Sequence, residues 1–486
     1  MNASNDVLRS EFTPHLELLN YEQARKMVHN AQHVSVPKQS DRKQILLRLH
    51  DLILENQDPI LDLIQEETGK NRASAFEEVM DVAITARHCA YAASRLLKTQ
   101  RVGGALPMLT KTRIQHAPLG VVGIIAPWNY PFTLAISDAL AAIAMGNVVV
   151  LKPDSQTPRC ALAAAELFKK AGLPQGVFQV LLGSGKEVGQ AIAEHADFLM
   201  FTGSTKTGRL LGEIAGRRLI PYSAELGGKN PLIVGPGAPE KRTIPGVAAA
   251  CFSNSGQLCV SIERIYVHES QADTFIPEFV DYVKNMQVAA DKNWTTDMGT
   301  LISPEHREHV AALVADAKAQ GAEILAGGQC LDHFSPAAYA PTVLTNVPDT
   351  AELYREEVFG PVVYIEVVDT VEEAIRRAND TEYGLNASVW AEPKLAQQIA
   401  AQLAAGTVNI NEGFSAAWGS IKAPMGGWKA SGLGRRHGDS GLLKYTQTRT
   451  VAQQRLTNIS GGTMLAPNQL ADVVSMVLRY GKRFLR

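Results

Sequence analysis

The sequence predicts an α/β protein with two such domains, and three observations carry that prediction. Between Val121 and Ala224, short β-branched or apolar runs (VVGIIA, NVVVLK, VFQVLL, FLMFTG, then RRLIPYSAEL) alternate with helix-like stretches, the pattern of a parallel sheet with crossover helices. After Cys259 the same alternation resumes, with strand candidates at 263–267, 361–368, 387–390 and 407–410 and helix candidates at 304–320 and 371–379. Residues 20–99 instead set apolar side chains at helical spacing (Ile45, Leu46, Leu49, Leu52, Ile53), with no strong breaker between Asp41 and Asn56, so a helical segment precedes the first sheet. Two stretches, 109–116 and 444–453, alternate polar and apolar residues and fit neither core. Beyond Gly462, Leu470, Val473, Val474, Val477 and Leu478 share one helical face, followed by Arg479, Lys482, Arg483 and Arg486. Such a basic amphipathic end suits an anionic membrane surface or docking on protein; its short apolar face favours docking.

Composition removes several classes of function. At 486 residues, 45% hydrophobic and 20% charged, the chain is long enough for two or three domains with sizeable cores. A net charge of −2 without a basic stripe argues against nucleic-acid binding. The first residues, MNASNDVLRSEF, have neither a basic nor an apolar leader region, and no apolar run approaches the roughly 20 residues that span a bilayer, so a cytoplasmic location is expected. Cys89, Cys160, Cys251, Cys259 and Cys330 show no CxxC spacing; reduced thiols are expected, without a metal site.

The chemistry concentrates in a few segments. Cys259 ends the run NSGQLC, where small residues and amides let backbone N–H groups point at a reacting atom. Cys251, in the apolar run AAACF, reads as packing. Glu225 heads ELGGKNP, 34 residues upstream of Cys259, and suits a general base; in isolation it is equally a salt-bridge partner. Asn129 in PWNYP can donate to an oxyanion, although Asn before a Tyr-Pro turn also has conformational reasons. Lys152 ends the run NVVVLK, and FTGSTKTG spaces Gly203 and Gly208 around Ser204 at a helix opening, where N–H groups favour a pyrophosphate. That spacing is not the dinucleotide fingerprint G-x-G-x-x-G, so the glycines alone are weak evidence.

The ordered set, over nearly the whole chain, resembles the aldehyde dehydrogenase superfamily. The resemblance implies a Rossmann-like nucleotide-binding domain (1–98 and 119–227), a catalytic domain carrying Cys259 (228–439), a β arm for subunit pairing (99–118 and 440–457) and a C-terminal tail (458–486). It implies a homodimer or homotetramer. It further implies that Cys259 attacks an aldehyde, that the Asn129 side chain and the Cys259 N–H hold the oxyanion, and that Glu225 activates water against the thioester. Trp128, Glu357 (in EEVFGPV) and Phe359 would meet the cofactor.

One departure bears on the cofactor. Family members that prefer NAD carry Glu three residues after the strand-end Lys, whereas this chain has Ser155. Without that carboxylate, Lys152 and Ser155 can receive a 2′-phosphate, so NADP is expected, with NAD usable; Asp154 alongside opposes the preference if it turns inward. Segments such as SGLGRRHG and LLKYTQTRTV look most like bacterial NADP-preferring succinate-semialdehyde dehydrogenases. Those with well-known carboxylate sites place arginines where this chain has Ser137 and Ser253, leaving Lys422 as an alternative cation. Succinate semialdehyde is the leading expectation, slightly ahead of an aromatic or medium-chain aldehyde, which Tyr130, Trp418 and Ile421 as pocket walls would equally suit. Two further readings stay open: a cysteine esterase using Cys259 and Glu225 without cofactor, and a catalytically silent scaffold.

Overall fold

A computed structural model describes residues 17–105, 110–455 and 466–482. Positions 109, 483 and 486, named above for the arm and the tail, lie outside these residues, as do most of the first residues.

The helical expectation resolves into four helices, Tyr21–Ala31, Gln39–Glu55, Gln57–Thr68 and Arg72–Leu96. Gly69 at φ +71° ends the third, and the Asn71 side chain caps the fourth by accepting from the Ser74 N–H. Their apolar stripes (Leu46, Leu49, Ile53, Ile64, Val79, Val82) pack on helix Thr133–Ala144 and one face of the first sheet. This sheet has six strands in the order Phe178–Val180, Val148–Lys152, Val121–Ile125, Phe198–Thr202, Tyr222–Glu225 and Gly432–Leu433. The first five are parallel, and the last is antiparallel to its neighbour. Register places Ile125 opposite Lys152 and Thr202 opposite Glu225. Lys152, Thr202 and Glu225 therefore sit together along the carboxyl edge of the sheet, where open α/β sheets bind ligands.

The second sheet has seven strands in the order Glu323–Ala326, Thr342–Thr345, Val362–Val368, Ile262–His268, Asn230–Val234, Asn386–Trp390 and Thr407–Ile410. All its pairings are parallel except the first. Three strands, Asn230–Val234, Glu323–Ala326 and Thr342–Thr345, were not among the sequence candidates. Helices Pro304–Ala319 and Val371–Asn379 lie where the helical spacing puts them. Cys251 is buried in helix Glu240–Phe252 within this domain's core.

Strands Gln100–Val102, Thr110–Pro118 and Thr446–Gln454 form a third, antiparallel sheet; the last two pair over nine residues. The tail helix Pro467–Gly481 exposes Val473, Val474, Val477 and Leu478. Among the described residues no helix is long and apolar enough to cross a membrane, and no group of three or more His, Cys, Asp or Glu could hold a metal ion.

Candidate active site

The two parallel sheets meet at a cleft of about 250 Å³ lined by Trp128, Asn129, Thr202, Gly203, Ser204, Glu225, Gly227, Cys259, Glu357 and Phe359. Segments separated by more than 200 residues in sequence thus converge on one cavity. Three local devices position them.

The first is backbone conformation before Cys259. Asn254 and Ser255 adopt left-handed φ of +51° and +56°, and Gly256 follows at +69°. A side chain at Gly256 would overlap the Gly360 carbonyl, so glycine lets the loop leading to Cys259 lie against the segment bearing Glu357 and Phe359. The second device is a buried ion pair. Lys70 Nζ donates to Glu78 (2.7 Å) and to the Asn129 carbonyl (2.7 Å), while Glu78 accepts the Phe132 and Thr133 N–H groups, which fixes the PWNYP turn. The Asn129 side chain donates one N–H to the Gln257 carbonyl (3.0 Å). Its amide carries a second N–H for another acceptor. The third device is Glu263, which pairs with Lys229 (2.6 Å) and accepts the Val358 and Phe359 N–H groups, holding the Glu357 segment in place.

Burial dominates the electrostatics. It pushes the Glu225 carboxyl up to about 7, against the lowering pull of Arg436 and Lys444. Neither Glu225 oxygen has a hydrogen-bond partner among the described residues. Burial, with Glu357 and Glu225 nearby, lifts the Cys259 thiol to about 12, and burial with Glu263 nearby lifts Glu357 to about 8. Glu357 accepts the Gly228 N–H (2.9 Å), and a side chain at Gly227 would come within 2.5 Å of its other oxygen. Cys259 is thus a buried thiol with the raised carboxyl groups of Glu225 and Glu357 nearby.

On the other flank lies a smaller apolar cavity. It is lined by Tyr130, Thr133, Leu258, Val260, Phe414 and Trp418, with Glu77 and Asp81 among them and no Lys or Arg. Tyr130 donates to Glu77 (2.7 Å); Trp418 Nε1 (2.9 Å) and Ser137 (2.8 Å) donate to Asp81. Consecutive residues face opposite cavities: Asn129 and Cys259 line the cleft, whereas Tyr130, Leu258 and Val260 line the apolar cavity.

The remaining sequence candidates fall as follows. Trp128 packs edge-on against Phe359 (5.4 Å between ring centroids) and His306 (5.5 Å). Ser204 caps helix Thr205–Arg218, whose N-terminus opens at the cleft, but Gly208 lies under Leu226 and serves helix packing. Lys152 is buried at the sheet edge, its pKa lowered by burial, and donates to no protein acceptor among the described residues. Ser155 approaches the Gly183 carbonyl at 3.5 Å. Ile421 lines a third cavity behind Trp418, shared with Asp81 and Arg436. Ser253 lies at the turn after helix Glu240–Phe252 and lines neither cavity beside Cys259, and Lys422 is exposed. Sequence reasoning gave no role to Glu77, Asp81, Lys70, Glu263 or Arg436, because what each contacts is set by the fold and not by its neighbours in the chain.

The comparisons agree with this geometry. A provisionally named NADP-dependent succinate-semialdehyde dehydrogenase of Mycolicibacterium smegmatis is 54% identical over 421 residues, 86% of this chain and 81% of the relative. One of the same description from Mycobacterium bovis is 50% identical over 420 residues, with the same coverage of both chains. Among solved structures, an NADP-dependent E. coli enzyme superposes with a TM-score of 0.85 at 32% identity, covering 90% of this chain and 91% of that one. The Bacillus cereus aldehyde dehydrogenase in complex with NAD+ gives 0.83 at 33%, covering 90% of each. The family model described as "Aldehyde dehydrogenase family" matches residues 10–451, and this chain belongs to that family of oxidoreductases.

Proposed function

We propose that this enzyme oxidises an aldehyde to the free carboxylic acid through a covalent adduct on Cys259, with NADP preferred and NAD usable. The convergence of Cys259, Asn129, Glu225 and Glu357 on one cleft carries this reading. In the proposed reaction Cys259 releases its thiol proton to solvent and its Sγ bonds the carbonyl carbon. The developing oxyanion takes the free N–H of Asn129 and the Cys259 backbone N–H, one such donor contributing about 10²- to 10³-fold in rate. When bound, the dinucleotide supplies the hydride acceptor. After hydride departure leaves a thioester, Glu225 takes a proton from water as its oxygen attacks, and the carbon–sulfur bond breaks. The residues present suit such a cofactor: the helix opening at Ser204, the buried ammonium of Lys152, the Ser155 hydroxyl and Glu357 lie on the cleft or on the sheet edge beside it. The division into nucleotide-binding, catalytic and arm segments at the boundaries given above is part of this proposal.

For the aldehyde, the pocket lining supports an uncharged aromatic or medium-chain compound. Glu77 and Asp81 would repel a substrate carboxylate, and among the described residues no Lys or Arg lines this cavity. Succinate semialdehyde retains support from the names of the relatives at 50–54% identity. Initial rates at 340 nm with benzaldehyde, hexanal and succinate semialdehyde, each against NADP and NAD, separate the two. A kcat/KM at least tenfold higher for benzaldehyde or hexanal is expected; the reverse order would overturn the pocket reading. Ester hydrolysis without cofactor that outpaces every aldehyde oxidation would overturn the reaction itself.

A further inference from the structure

A cluster of charged side chains that the proposed reaction does not use lies against the strand ending at Glu225. In a sheet, register partners and residues two apart present their side chains on one face, so Ser223, Glu225 and Thr202 share a face. Two cations reach that face. Arg436 donates to the Thr202 hydroxyl (2.7 Å), and Lys444 to the Ser223 hydroxyl (3.3 Å). Both also bind Asp138 of helix Thr133–Ala144, at 2.5 and 3.3 Å, and Tyr445 donates to the same carboxylate (2.7 Å). Arg436, Asp138 and Tyr445 are buried and Lys444 is partly buried, and the cluster holds two cations to one anion. Arg436 Nε is without a hydrogen-bond partner among the described residues, as are both Glu225 oxygens. The surplus positive charge is therefore held on the sheet face from which the unpartnered carboxylate projects.

We propose that Arg436 is a positioning residue for the base: its guanidinium, anchored by Asp138 and Thr202, keeps Glu225 ionised and therefore able to take the proton of the attacking water. This rests on the reading of Glu225 as that base. In the step affected, the water oxygen bonds the thioester carbon, one water proton passes to the Glu225 carboxylate, and the carbon–sulfur bond breaks with its electrons on Cys259. The other groups facing Glu225 are Lys444, Asp138 and Arg435 from the surrounding elements, with Cys259 and Glu357 across the cleft. Burial raises its pKa, Arg436 and then Lys444 lower it, and Asp138 raises it again. Exchanging Arg436 for a neutral residue and removing the Asp138 charge must therefore act in opposite directions.

The test is the pH profile of acid release after a single turnover, alongside the hydride burst, in the full chain and its variants. Arg436→Gln is expected to move the acidic limb upward by about one pH unit, with the burst kept. Arg436→Lys should leave the midpoint within a few tenths of a unit of the parent. Asp138→Asn should move it downward. Melting curves establish which variants are folded; if Arg436→Gln is not, the sign of the Asp138→Asn shift decides. An unmoved limb in the folded variants, or shifts of the same sign, overturns the proposal. Glu225→Gln is the separate control: burst kept and acid release slowed supports the base reading, whereas acid release at the parental rate removes that reading independently of Arg436.

Discussion

Ionising a buried carboxyl that has no protein partner works against folding. The folded-state pKa of Glu225, about 7, lies above the ordinary 4.5. The protonated form is thus favoured by folding, a stabilising contribution that is complete below pH 4.5 and lost as the pH rises through 7. Glu225→Gln is therefore expected to melt higher than the parent at pH 8, by up to about 3 kcal/mol, and to match it near pH 4.5. Thermal unfolding at the two pH values checks this; a variant less stable at pH 8 would contradict it. The same carboxyl predicts acid production that rises with pH through about 7. Lys152 and Ser155 make a second residue-scale prediction. Ser155→Glu should lower the NADP/NAD ratio of kcat/KM by about tenfold or more, by placing a carboxylate against the 2′-phosphate. Cys259, Asn129 and Glu225 could be picked out in the sequence because each sits in a short, distinctive run. Glu77 and Asp81 could not: in helix Arg72–Leu96 they are two more polar positions on an amphipathic pattern, and only the fold turns them toward Tyr130 and Trp418.

At the scale of elements, the catalytic loops are held by contacts that no local pattern announces. Lys70 and Glu78 flank the start of one helix, yet they fix the turn bearing Asn129, more than 50 residues on. Lys70→Met should leave Glu78 buried and unpaired, destabilising the protein by about 3–5 kcal/mol. It should also lower kcat more than it raises KM, because Asn129, the proposed oxyanion donor, shifts; denaturant unfolding and steady-state rates measure both. Gly256→Ala meets the Gly360 carbonyl at a left-handed φ, and a loss of activity of about 10²-fold with a lower melting temperature is expected. The strands of the second sheet that sequence analysis missed are four or five residues long. Asn230–Val234 carries Pro231, which reads as a breaker until the register shift between Asn230 and Pro231 accommodates it. Long periodic segments such as Gln39–Glu55 were legible because an amphipathic helix repeats its signal over several turns.

For the whole molecule, strand Thr446–Gln454 pairs on one side with Thr110–Pro118 and is exposed over most of its length. An open edge of this length favours pairing with another chain. Val451→Lys is expected to weaken self-association, seen in sedimentation as a concentration-dependent shift toward smaller species; an unchanged profile would place the subunit contact elsewhere.

Cys259 stands in the partition between two chambers, one lined by Glu225, Glu357 and the opening of helix Thr205–Arg218, the other by Tyr130, Trp418 and Phe414. Under the proposed reaction, dinucleotide and aldehyde would not have to pass each other to reach the sulfur. Traffic through one doorway would leave the other free, so spent dinucleotide could be exchanged while the acyl group stays attached, and the order in which products leave would be a property of the architecture rather than of the chemistry.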